Sequence, residues 1–128
     1  MKEHAFRLRK GDDLRLSIDE YAKKHNIKAA VIVSAVGCLS KTILRNAGAT
    51  RTITIKKDVE IVSATGTISP EASHIHISVS DENLTTYGGH LKIGSIVDIT
   101  AEIALLELEN YTFKRKLDDT GYECLVIS

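Results

Sequence analysis

Between His74 and Ser80 apolar and polar residues alternate strictly: Ile75, Ile77 and Val79 on one side, His74, His76, Ser78 and Ser80 on the other. Successive side chains of a strand point to opposite faces, so this period predicts a strand with an apolar face toward a core and two histidines side by side on its other face. The same period recurs along the chain. His4 to Arg9 reads as a strand with Phe6 and Leu8 on one face and Arg7 and Arg9 on the other; Arg51 to Ile55, Val59 to Ile68 (carrying Glu60 and interrupted by Gly66) and Tyr111 to Arg115 alternate likewise. Ala29 to Val36 is a continuous small and β-branched run, as expected of a strand covered on both faces, ended by Gly37, with Leu39 to Arg45 as the return strand. Glu123 to Ile127 reads as a last strand tying the C-terminus into the sheet.

The pattern changes to a helical period in one place. Leu14, Ile18, Tyr21 and Ala22 recur at helical spacing behind Gly11-Asp12-Asp13, whose aspartates can cap the first turn. Asp19 with Lys23 and Glu20 with Lys24 form i,i+4 pairs, Asn26 is a left-handed stop, and His25 sits favourably at the helix C-terminus. Signals conflict from Ile96 to Leu108. Ala101 to Glu109 consists of good helix formers, yet Ile96 to Thr100 is strand-like, and a strand is favoured throughout. Asn46 to Ala49 reads as a loop, and Lys56 to Asp58 and Asp118 to Gly121 as turns. Many strands and one helix near the N-terminus give an α+β fold with a largely antiparallel or mixed sheet.

The 128 residues fit one domain, spanning 1–128, and suffice to bury a core without disulfides or metal. Seventeen basic residues balance seventeen acidic ones, which lacks the cationic signature of a nucleic-acid binder. Cys38 and Cys124 match no metal-site spacing and sit in apolar stretches, so buried free thiols and a reducing cytoplasm are expected. No apolar run approaches the roughly 20 residues that span a bilayer.

The histidines carry the candidate chemistry. Two imidazoles at i and i+2, joined by a third from a nearby turn, make a facial set of nitrogen ligands suited to zinc or another divalent transition metal. Gly88-Gly89 would fold the chain back to aim His90 at the same point. The alternation fits equally well with two polar histidines on the wet face of a strand and His90 as an unrelated loop residue.

Several segments in this order resemble the PPC domain, the plants and prokaryotes conserved family. They include Arg7-Leu8 with Gly11-Asp12-Asp13-Leu14, Ser34-Ala35-Val36-Gly37, Leu44-Arg45, Glu60 to Ser63, Gly66 to Ser69, His74 to Asp81, Gly88 to Leu91, Gly94, and Phe113-Lys114-Arg115 with Asp118. The resemblance implies an α+β fold and a homotrimer. Plant members carry an AT-hook, a short basic element entering the minor groove, and this sequence contains none, so direct nucleic-acid binding is not expected. The PPC fold is also similar to acetolactate decarboxylase and to a zinc-dependent ester hydrolase, each holding a metal with three histidines; carried over, His74, His76 and His90 would be the ligands. Three readings follow: a trimeric module with a metal at a small-molecule cleft, a metal-dependent lyase or hydrolase acting on a small carboxylate or ester, and a DNA-associated regulator. For the second, Glu60 would shuttle a proton and Arg115 or Arg7 would hold a carboxylate.

Overall fold

The computed structural model describes residues 1–128. Strand β1 (Lys2–Arg9) leads into helix α1 (Leu14–Lys24), followed by β2 (Ala30–Arg45), a short 3-10 turn at Ala47–Ala49, β3 (Thr52–Ile55), β4 (Val59–Ile68), β5 (Ser73–Ser80), β6 (Thr86–Leu91), β7 (Ile96–Glu107), β8 (Phe113–Leu117) and β9 (Glu123–Ile127). The fold is α+β, an antiparallel sheet with one α-helix near the N-terminus, as the hydrophobic pattern predicts. Ile96 to Glu107 is strand throughout: its alternate positions Val97, Ala101, Ile103 and Leu105 are buried, so tertiary burial overrides the helix propensity of its second half.

The main sheet runs β1-β7-β2-β4-β5-β6, with β3 on β2. Because β6 also pairs with the far end of β2, at Leu44 and Arg45, strands β2, β4, β5 and β6 close into a ring. Helix α1 buries Leu14, Ile18 and Ala22 against Ile75, Ile77, Val79, Leu91 and Leu105 in one continuous core. Asp13 is its N-cap, accepting from the Leu16 amide at 3.0 Å, and Asn26 takes a left-handed φ of 54° just beyond its end.

Five expectations are corrected. Gly37 does not end a strand: β2 is one 16-residue strand, bent by bulges, that passes through it. Glycine is required there by proximity, since a Cβ would lie 2.1 Å from the Thr100 carbonyl oxygen on β7. Nor is the first half of β2 covered on both faces, for Val33 and Val36 are 63% and 57% exposed. Gly66 likewise lies inside an unbroken β4. Strands β8 and β9 do not join the main sheet but form a separate two-stranded ribbon, tied back by the Phe113 amide donating to the Lys28 carbonyl. Both thiols are free but only half-buried.

Candidate metal centre

The histidines are placed by a hairpin. Strand β5 buries Ile75, Ile77 and Val79 and turns His74 and His76 to the opposite face, where His74 is half-buried and His76 exposed. Buried Asp81 then holds the connection to β6, accepting from the amides of Asn83 and Thr85 and from the Lys57 ammonium at 2.8 Å; those contacts hold its carboxyl below the usual carboxylate range. The register that results sets His76 directly across from His90. His90 therefore arrives on a strand and not from a glycine turn, which corrects the expected route. Gly89 is in mid-strand because the backbones of β6 and β2 approach closely: a Cβ there would stand 2.8 Å from the Arg45 carbonyl oxygen.

The three rings face one another. Their centroids are 4.9 Å (His74–His76), 5.1 Å (His74–His90) and 5.8 Å (His76–His90) apart, and one nitrogen from each lies within 4.8 Å of the others. Burial holds His90 down at about 4, helped by the neighbouring Arg45 guanidinium, and burial with Arg115 lowers His74. Both are neutral near pH 7, the form in which an imidazole donates a lone pair. The Nδ1 atom of His90 is buried with no hydrogen-bond partner, a state that native structures avoid unless something else satisfies the atom. The donor set, its spacing and this orphan nitrogen all fit a transition-metal ion.

Helix α1 secures both strands beside their histidines. Arg15 donates from Nη1 to the Leu91 carbonyl at 3.1 Å and from Nη2 to the Ser73 carbonyl at 3.2 Å, one residue from His90 and from His74. Asp19 accepts from the Ser73 amide at 2.8 Å, so its carboxylate anchors β5 and makes no ion pair with Lys23. Sequence spacing singles out neither Arg15 nor Arg45, since α1 and β2 bring them from far along the chain; the Leu44-Arg45 segment of the family resemblance was the one pointer.

The other sequence candidates divide. Arg115 reaches the site from β8, donating to Thr67 Oγ1 at 2.7 Å, and Thr67 lies across from His74. Arg7 does not, because its guanidinium is taken up by Thr100 Oγ1 and the Ile99 carbonyl at the exposed β1/β7 edge. Glu60 pairs with Ser80, four residues beyond His76, and is outside the cavity above the histidines. That cavity, of about 1330 Å³, is walled on one side by the β8–β9 ribbon through Arg115, Tyr122 and Cys124.

The sequence matches the Plants and Prokaryotes Conserved (PCC) domain over residues 1–109. The chain belongs to this family. Among solved structures it superposes on a hypothetical protein from Salmonella cholerae-suis with a TM-score of 0.95, at 31% identity, covering 99% of this chain and 93% of that one. A metal-containing protein from Archaeoglobus fulgidus matches with a TM-score of 0.83 at 26% identity, over 98% of this chain and 94% of that one. By sequence, this PCC chain is 35% identical over 123 residues to the bifunctional protein GlmU of Synechococcus sp. (strain JA-3-3Ab), covering 95% of this chain. It spans about one fifth of the length of the curated relatives it matches (20%). No helix is long and apolar enough to cross a membrane.

Proposed function

We propose that His74, His76 and His90 hold one divalent transition-metal ion, with zinc a good fit, at the floor of a small-molecule cleft, and that the protein works as a homotrimer in the cytoplasm. One observation carries the metal reading: three imidazoles converge within 4.8 Å while the buried Nδ1 of His90 lacks any partner. The similarity to a metal-containing Archaeoglobus protein supports it. Assembly is favoured by apolar side chains left in the open, Val33 and Val36 on β2, Val62 on β4 and Ile99 on β7, which are between 57% and 64% exposed. Free, half-buried thiols suit a reducing compartment.

A metal held by three imidazoles supplies Lewis-acid polarisation of a ligand's carbonyl or carboxylate oxygen. The chain's own part is to orient that ligand. Arg115 stands on the His74 side and Arg45 beside His90, while the ribbon forms one wall of the cleft. Arg115 also favours a second reading, a metal-dependent lyase or hydrolase acting on a small carboxylate or ester, because a guanidinium in a half-buried wall is suited to a two-pronged grip on a carboxylate. The DNA-associated reading has the weakest support, given seventeen basic against seventeen acidic residues.

Cobalt(II) substitution tests the metal reading. The protein should take up near one equivalent per chain and develop visible absorption bands of a low-coordinate nitrogen site. The bands should be absent in His90→Ala, and a wild-type protein that leaves cobalt spectroscopically aqueous would defeat the reading. Light scattering tests the assembly, with three chain masses expected.

A further inference from the structure

The cleft has a charge character that the chain as a whole lacks. Among the residues lining it, Arg15, Arg45, Lys92 and Arg115 are cationic and Glu123 alone is acidic, within a protein whose formal charge is zero. Four of the five buried side-chain polar atoms without a partner belong to lining residues: Arg15 Nε, Arg45 Nε, Ser73 Oγ and His90 Nδ1; Thr42 Oγ1 is the exception. The two guanidinium atoms are obligate donors, so what they lack is an acceptor. Imidazole nitrogens bring a bound cation no negative charge, so its charge would be uncompensated as well.

Arg45 and Arg115 stand on different sides of the histidines, with Arg15 between them. Arg45 lies across from His90 in the β2–β6 pairing, and Arg15 grips the backbone beside both histidine strands. Arg115 comes from the separate ribbon and meets β4 at Thr67, across from His74. The His74 and His90 rings lie between Arg45 and Arg115, with centroids 5.1 Å apart.

We infer that the cleft binds a small organic molecule with two anionic groups, either a dicarboxylate or a phosphorylated carboxylate, with one group held by Arg45 and the other by Arg115. Guanidinium forks match both anion types, since each offers two coplanar acceptor oxygens. The inference rests on the cleft being the ligand site, but its donors are arginines and do not require the metal.

Calorimetric titration at about pH 5.5, where the phosphate monoester is largely singly charged, tests it, using succinate and 2-phosphoglycolate as the two dianions, acetate as a monoanion and succinamide as a neutral analogue. Each is titrated into wild-type protein with zinc and into protein stripped by a chelator. At least one dianion should bind in both forms, at least tenfold tighter than acetate, with no heat from succinamide. The preferred one identifies the anion type. Arg45→Gln and Arg115→Gln should each weaken that binding about tenfold or more, while Arg7→Gln, outside the cleft, should leave it unchanged. Arg115 is on the ribbon and not in the closed ring of strands, so its variant remains informative even if Arg45→Gln fails to fold. Absence of heat with both dianions, or binding indifferent to Arg115→Gln, would overturn the inference. The two readings separate cleanly: zinc uptake without dianion binding refutes this one alone, and dianion binding without zinc uptake refutes the metal reading alone.

Discussion

All five histidines of the chain lie in two clusters, and the clusters are built on opposite terms. His4 is buried on β1 with both ring nitrogens engaged: Nε2 donates to Glu107 Oε1 at 2.8 Å, leaving Nδ1 to accept from the Tyr21 hydroxyl at 2.9 Å. His25 stacks on Tyr21, with ring centroids 3.9 Å apart, and donates to the Tyr21 carbonyl at the helix end. In that cluster the protein meets the hydrogen-bonding demand of His4 in full. Around His74, His76 and His90 the neighbours are one another and the arginines, and a buried nitrogen is left over. The first cluster is saturated from within; the second is close-set and leaves a buried nitrogen unpartnered, as the proposed ligand role requires.

Substitutions can break this contrast, and the largest effects belong on the core side. Ile75→Ala, between His74 and His76 but facing the core, should destabilise the protein by about 2–5 kcal/mol in denaturant unfolding, because it opens a cavity beneath α1. His4→Ala should follow at about 2–3 kcal/mol, for it strands the half-buried Glu107 carboxylate and the Tyr21 hydroxyl. His76→Ala in metal-free protein should change stability by no more than about 0.5 kcal/mol, since the ring is exposed and packs against no core residue. If His76→Ala proved as damaging as His4→Ala, the second cluster would be structural like the first.

Acid sharpens the comparison further. In metal-free protein His90 has a folded-state value of about 4, below the ordinary value of 6.5, with Arg45, His74, Arg15 and His76 around it. The unfolded chain therefore takes up this proton first. The stabilisation is fully present above about pH 6.5 and is lost progressively as the pH falls toward 4. Melting temperatures measured in chelator should drop across that window, and His90→Ala should flatten the drop. Equal slopes in the two proteins would show that His90 takes up its proton as readily folded as unfolded.

How much of this was legible in the sequence depends on the range of the interaction. The period of two in His74 to Ser80 is local, and it correctly assigns the core face and the histidine face. The helix cap at Asp13 and the left-handed stop at Asn26 are local too. Gly37 and Gly89 mislead because glycine in a sequence signals a break or a turn, whereas here it marks places where strands distant in sequence pass too close for a side chain. The meeting of His76 with His90 depends on hairpin register, and the arrival of Arg15 and Arg45 on the closure of β6 against β2 and the docking of α1. No spacing rule carries that information. The exclusion of Glu60 has the same origin: it shares a strand with Thr65 and Thr67, yet pairing with Ser80 carries it beyond the cavity.

The most direct test is the metal content of purified, untagged protein by elemental mass spectrometry, beside His76→Ala and His90→Ala and with His4→Ala as the control from the other cluster. Near one equivalent of a divalent transition metal per chain is expected in the wild type and in whatever His4→Ala protein remains folded, with less than about a tenth of an equivalent in the other two variants. Wild-type protein that is metal-free and also fails to take up zinc, or retention of metal in both His76→Ala and His90→Ala, would contradict it.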